Sequence, residues 1–236
     1  MIKLSIIVPV FNEEKTIAEL LQKIVDVKLP LGWQKEIIVV DDGSTDSSKS
    51  KVKSQKSKLI KKFFHKQNLG KGAAVRTGIK HTTGDYIVIQ DADLEYDPKN
   101  YTELLRPVIK SSALVVYGTR LKNYPLNFWG SSKTVLPLHL LANKSLTMLT
   151  NFLYGSRLSD METGHKLFRK DILKKISIEA NRFDFEPEIT VKILKLKIPI
   201  VEVPIKVKPR SYKEGKKIGW KDALKAVWIL FKFRFK

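Results

Sequence analysis

Twice in its first hundred residues the chain runs out of a short apolar segment straight into aspartate. Residues 36–40 lead into Asp41-Asp42-Gly43-Ser44, and residues 86–90 lead into Asp91-Ala92-Asp93. Runs of this length, rich in Ile and Val and closed by turn residues, read as buried strands. Residues 3–10, 59–64 and 114–117 read the same way, and helical patterns lie between them. Ile17, Leu20, Leu21, Ile24 and Val25 repeat with the period of one buried helix face, behind Asn12 as the expected cap. Residues 70–81 read as a helix opened by a glycine loop. Asp97-Pro98 starts another, with aspartate at the cap and proline at the first helical position. Strands alternating with helices predict an α/β fold, its sheet mostly parallel and covered on both faces.

After residue 120 the alternation stops. Residues 123–155 read as largely helical, 185–196 as a helix and 198–207 as a strand. The chain shows no internal repeat and no linker, so residues 1–212 are expected to form one catalytic domain. Residues 213–236 are expected to form a basic, aromatic tail. Eight basic and two acidic side chains in that tail, interleaved with Trp and Phe, suit a helix lying on an anionic membrane surface.

The net charge of +20 favours anionic partners, among them phosphorylated substrates. A specific nucleic-acid role lacks any binding motif and leaves the aspartates unexplained. With no cysteine, disulfides and thiolate metal sites are excluded. Neither a secretory signal nor an uncharged apolar run of about 18 residues is present, so a cytoplasmic protein is expected, peripheral at the membrane face. His65, His81, His139 and His165 have no metal-ligand spacing.

In open parallel sheets ligands bind beyond the carboxyl ends of the strands. The segment Pro9–Glu13, both aspartate signatures and Asn68-Leu69-Gly70-Lys71-Gly72 should therefore gather along one edge. The alternating carboxylates of Asp91 and Asp93 suit a hard divalent cation, which takes oxygen ligands and bridges diphosphate oxygens.

In those segments, and in Gly118-Thr119-Arg120, the run from Asp160 to Phe168 and Glu202-Val203-Pro204-Ile205, the sequence resembles glycosyltransferase family 2 over nearly its whole length. Within it the dolichyl- and polyprenyl-phosphate sugar transferases look most similar. The resemblance implies a GT-A-like nucleotide-binding fold, a divalent cofactor (Mg2+ or Mn2+), a GDP- or UDP-sugar donor and a lipid phosphate acceptor. It implies that Pro9, Phe11 and Glu13 line the nucleoside pocket, with Phe11 where tyrosine is usual. Asp41 or Asp42 would bond the base beside Val40, while Asn68, Gly70, Lys71 and Ala92 would contact the nucleotide sugar. Asp91 would sit near the ribose and diphosphate, and the metal would be held by Asp91, Asp93 and Glu95. Arg120 and Arg210 would hold the diphosphate or the acceptor phosphate, helped by Lys216 or Lys217.

Two departures stand out. Glu95 replaces the usual glutamine and adds a negative charge. Arg210 precedes Lys217 by seven residues, one more than in those synthases. A phosphate acceptor would need no general base; an alcohol acceptor, as in polysaccharide or glycolipid synthesis, would make Asp160 or Glu162 the candidates. Related synthases carry membrane helices beyond this point, so a membrane protein partner is a further expectation.

Overall fold

The computed structural model describes residues 1–121, 137–208, 210 and 220–236. Lys216 and Lys217 lie outside the described residues. Among the described residues seven strands form one sheet: β1 (Ile2–Val10), β2 (Trp33–Asp41), β3 (Ile60–Phe64), β4 (Tyr86–Ile89), β5 (Val115–Thr119), β6 (Lys166–Arg169) and β7 (Ile200–Pro204), in the order β3-β2-β1-β4-β6-β5-β7. The expected parallel pairing holds along β3, β2, β1 and β4 and again between β5 and β7. It is broken by β6, which runs antiparallel to both β4 and β5. The sequence hides this strand because it has only four residues and begins and ends on a cation.

Helices α1 (Ile17–Asp26), α2 (Ser48–Ser54), α3 (Lys71–Lys80), α4 (Tyr101–Ser111), α5 (Pro137–Tyr154), α6 (Lys170–Lys174), α7 (Phe185–Lys195) and α8 (Trp220–Phe235) cover the sheet. One core cluster joins α1 and α4 to the side of β1 and β2 carrying Ile6, Val8, Ile37 and Val39. A second joins α3 and α7 to the opposite side, carrying Ile7, Ile38, Val40 and Phe168. Period-two alternation along β1 and β2 thus feeds both cores, as a doubly covered sheet requires.

Asn12 does not cap α1. The cap position falls at Thr16, and Asn12, at φ 50°, reaches instead across the edge. Its side chain accepts from the Thr45 amide at 2.9 Å and donates to the Thr45 hydroxyl at 3.1 Å, joining the loops after β1 and β2. Asp97 does cap, accepting from the Lys99 amide.

The C-terminal helix is built into the fold rather than appended to it. Ala226, Ile229, Leu230 and Phe233 of α8 are buried in a third cluster with Leu146, Met161 and Val191. The Tyr154 hydroxyl donates to the Leu230 carbonyl at 2.7 Å, and Lys225 pairs with Asp184 at 2.7 Å. Among the described residues no helix is long and apolar enough to cross a membrane.

Candidate functional site at the carboxyl edge

At the edge, β1 and β2 end in register with Pro9 opposite Val40 and Val10 opposite Asp41. Val40 is core, beneath the edge, and Phe11 is half-buried above it. The two adjacent aspartates have different surroundings. Asp42 is consumed by the chain: its oxygens accept from the Leu69 amide at 3.0 Å and the Gly70 amide at 2.7 Å, and lie 2.6 Å from His65 Nδ1. Asp41 accepts from the Ser44 amide through Oδ1, while its Oδ2 is buried without a hydrogen-bond partner. A buried carboxylate oxygen without a donor is costly, so of the two aspartates Asp41 is the one with accepting capacity left unused.

The glycine loop packs against the turn before α7. Gly70 has φ +99°, and a Cβ there would stand 2.3 Å from the Asn181 carbonyl oxygen, so both backbone shape and space demand glycine. Asn68 is exposed. Lys71, first residue of α3, turns inward and pairs with Asp91 at 2.6 Å and Glu186 at 2.9 Å. Burial opposes its charge, but the two carboxylates more than offset this and raise its pKa. Glu186 also pairs with the fully buried Lys166.

The acidic segment that follows β4 lies between these cations and Arg210. Arg210 pairs with Asp93 at 2.8 Å, with Glu13 at 3.2 Å and with Glu95 at 3.5 Å. It is delivered by the chain after β7, where Val207 bridges to Tyr96 and the Lys208 amide donates to the Glu95 carbonyl at 2.9 Å. Ala92 is buried, its carbonyl accepting from the Thr16 hydroxyl at 2.8 Å. Gly164 completes the wall: a Cβ there would meet Asp91 Oδ2 at 2.3 Å.

The three expected metal ligands do not share one partner, since Asp91 faces Lys71 while Asp93 and Glu95 share Arg210. Among the described residues no three acidic or histidine side chains are arranged to hold a metal ion alone. The donors nonetheless fit a divalent cation that arrives with phosphate oxygens, because such ions need only one or two carboxylates when substrate supplies the rest. Burial, and then the charges of Asp91 and Glu95, push the Asp93 carboxyl up to about 7 against the opposing pull of Arg210. Carboxylates crowded in this way attract further positive charge.

Arg120 and Asp160 form a closed pair. Arg120 donates through its amide at 3.0 Å, Nε at 2.7 Å and Nη2 at 2.8 Å to Asp160, which has no exposed surface. The Asp160 amide in turn donates to Glu202 at 3.0 Å. Glu162 is different: one oxygen is buried without a partner, and burial pushes its carboxyl up to about 7. Sequence reasoning missed Glu186, the counter-charge that holds Lys71. Its signal was an acidic first turn, Glu186 and Glu188, in a strongly basic chain.

The family described as Glycosyl transferase family 2 matches residues 5–177. The chain is 30% identical over 221 residues to UDP-N-acetylglucosamine–dolichyl-phosphate N-acetylglucosaminyltransferase of Methanococcus voltae, covering 85% of this chain and 84% of that one. It is 30% identical over 229 residues to dolichyl-phosphate beta-glucosyltransferase of Dictyostelium discoideum, covering 86% of this chain and 66% of that protein. In fold it resembles glucosyl-3-phosphoglycerate synthase of Mycobacterium tuberculosis, solved with Mn2+, UDP and phosphoglyceric acid. That match has a TM-score of 0.74 at 18% identity and covers 99% of this chain and 78% of the other.

Proposed function

Because the chain belongs to glycosyltransferase family 2, we propose that it moves a sugar from a nucleoside diphosphate, as a UDP- or GDP-sugar, to a dolichyl-type polyprenyl phosphate, with inversion at the anomeric carbon. The observation that carries this reading is the convergence on Arg210 of Glu13 from the loop after β1 and of Asp93 and Glu95 from the segment after β4. One guanidinium joins the nucleoside side of the edge to the acidic segment where a diphosphate would lie.

The sealed oxygen of Asp41 takes an N–H of the base, over Val40 and beside Phe11. Asp93 and Glu95 would hold a Mg2+ or Mn2+ ion together with substrate oxygens, and the chemistry it would supply is neutralisation of the negative charge of the leaving diphosphate. Arg210 exchanges carboxylate partners for phosphate oxygens, and Lys71 holds Asp91 in place through their ion pair. An acceptor phosphate oxygen forms the new bond to the anomeric carbon as the bond to the diphosphate breaks, the electron pair leaving with the diphosphate. This acceptor carries its own negative charge, so no general base is needed. The closed Arg120–Asp160 pair, with no carboxylate oxygen offered to a substrate, agrees with that.

The acceptor is a lipid, and the outer faces of α5 and α8 suit its surroundings. Met148 and Phe152 on α5 and Trp228 and Phe235 on α8 are 58–84% exposed, with the Lys232 ammonium 5.3 Å from the Trp228 ring. Aromatic and basic groups together favour an anionic bilayer surface on the cytoplasmic side, where a membrane protein partner would also be met. The test supplies radiolabelled UDP-glucose, UDP-N-acetylglucosamine or GDP-mannose with Mn2+, and either polyprenyl phosphate in anionic vesicles or free sugars. A labelled lipid phosphate is expected; label on free sugars alone would overturn the acceptor assignment. Phe152→Ser with Trp228→Ser should weaken vesicle co-sedimentation, whereas retention equal to the parent's would remove the proposed membrane face.

A further inference from the structure

Gln90 is the residue between β4 and the acidic segment, and it is fully buried. Its Nε2 donates to the Asp91 carbonyl at 3.0 Å and to the Tyr96 carbonyl at 3.1 Å. One amide therefore ties together the two ends of the six-residue stretch that carries Asp91, Asp93 and Glu95. On its other side Oε1 accepts from the Tyr101 hydroxyl at 2.8 Å and lies 2.9 Å from His165 Nε2.

The orientation follows from chemistry. Backbone carbonyls only accept, so the NH2 must face them and the oxygen must face Tyr101 and His165. An amide oxygen also only accepts, so His165 carries its proton on Nε2. The buried Nδ1, which has no hydrogen-bond partner, is then a bare lone pair rather than a stranded donor. A neutral ring agrees with its surroundings, since burial and the nearby Lys71 charge push the His165 pKa down to about 3. Both donors and both acceptor positions of the Gln90 amide are thereby filled. The Tyr96 ring lies 4.6 Å from that of His165, and its hydroxyl accepts from the Gly164 amide at 2.8 Å.

The segment needs such a clamp. Leu94 sits at φ 61°, a left-handed conformation that side chains with a Cβ resist. Its three carboxylates also repel one another. We propose that Gln90, oriented by Tyr101 and His165, is a positioning residue that sets the separation of Asp93 and Glu95 and thereby the strength of divalent-cation binding. This rests on the reading of Asp93 and Glu95 as the pair that holds the cation. Gln90 touches neither cation nor substrate in this role; it acts through the backbone of the segment.

The experiment compares the full chain with Gln90→Met, which keeps volume and loses the amide, and with Tyr101→Phe, which removes one hydroxyl from the same network. Amide hydrogen exchange is read without metal, and Mn2+ binding is then titrated by electron paramagnetic resonance in the presence of UDP. In Gln90→Met, exchange across residues 91–96 should accelerate while β1 and β2 stay protected. The Mn2+ dissociation constant should rise about 10- to 100-fold, the range seen when groups behind metal ligands are lost. Hydrolysis of UDP-glucose should recover as Mn2+ is raised, a rescue that a merely damaged fold would not give. Tyr101→Phe should show the same changes more weakly, and it decides the matter if Gln90→Met does not fold. Unaltered exchange and unaltered Mn2+ affinity would overturn the proposal. Should the parent itself bind no Mn2+ with UDP, the cation assignment fails, while the exchange data still decide whether Gln90 holds the segment.

Discussion

Glu36, buried, and Asp93, half-buried, are carboxylates at opposite ends of one parallel array of strands, and they are treated in opposite ways. Glu36, near the amino end of β2, accepts from the Ser5 hydroxyl at 2.6 Å, the Thr83 amide at 2.6 Å and the Gly84 amide at 3.2 Å, and pairs with Lys61 at 2.9 Å. Burial alone would raise its pKa, but hydrogen bonds from Ser5, Lys61 and Thr83 win and bring it down to about 2. Asp93, beyond the carboxyl end of β4, is half-buried beside Asp91 and Glu95, and desolvation with their charges pushes it up to about 7. Dedicated donors surround the first, whereas the second shares the one guanidinium of Arg210 with Glu13 and Glu95. Glu36 at the amino end has donors of its own, whereas the acids at the carboxyl end outnumber the guanidinium they share, the kind of perturbed surroundings that marks a candidate site.

The contrast can be broken at either end. Asp93→Asn should cost the most, about 100-fold or more in turnover, since a charge opposite the leaving diphosphate is lost, roughly 3 kcal/mol or above. The midpoint of thermal unfolding should hardly move, because the removed charge is one its neighbours oppose. A large drop in melting temperature would mean that Asp93 is a structural anchor like Glu36.

Glu36→Ala should do the reverse. Stranding the buried hydroxyl and amides around it should cost about 2–4 kcal/mol of stability, while donor turnover below the melting transition stays within about twofold. Denaturant unfolding and a hydrolysis assay read the two effects separately.

Acid should reproduce part of that loss. A folded-state pKa near 2, against an ordinary value of 4.5, means that Glu36 stabilises the fold fully above pH 4.5. The contribution fades as pH falls from about 4.5 towards 2, because the unfolded chain takes up the proton first. Glu36→Gln should flatten the stability profile in that window, and an unchanged slope would assign the acid sensitivity elsewhere.

Arg210→Ala comes next at the carboxyl end. Losing a charge-assisted phosphate contact of about 1.5–3 kcal/mol should slow turnover roughly 10- to 100-fold. Unchanged kinetics would leave Arg210 only as a lid over its three acids. The smallest change expected is for Glu162→Gln, within about twofold with a phosphate acceptor, since that acceptor needs no base. A loss of 100-fold or more would instead favour an alcohol acceptor, with Glu162 as its base.

How much of this was legible depends on whether the signal is local. Strands β1, β2 and β4 announce themselves because each contains an apolar run, and the aspartates at the ends of the β2 and β4 runs mark the edge. The four-residue β6 gives no such pattern: Lys166 is fully buried, which no polarity rule anticipates, and it is made tolerable by the Glu186 carboxylate and the Met161 and Thr163 carbonyls. The division of labour between Asp41 and Asp42 was equally hidden. It depends on where the Leu69 and Gly70 amides point, a three-dimensional fact. Asn12 misled for the same reason, its partner Thr45 being contributed by another loop. The aromatic tail was readable as amphipathic, yet composition could not say that one of its faces belongs to the core with α5 and α7.

The position of β6 also governs how the chain can be assembled during synthesis. Strands β1 to β4 form a contiguous block, β3-β2-β1-β4, that can pair as soon as residue 89 has emerged. β5 is made next but has no partner there, because β6, synthesised nearly fifty residues later, must enter between it and β4. Until then two strand edges stand open, the condition under which nascent sheets stick to one another. A ribosome would therefore hold an early, self-sufficient half and a late half that closes as one step. Arg210 joins the edge later still, after β7, so the acids of Glu13, Asp93 and Glu95 wait for their shared cation until both halves of the sheet have been made.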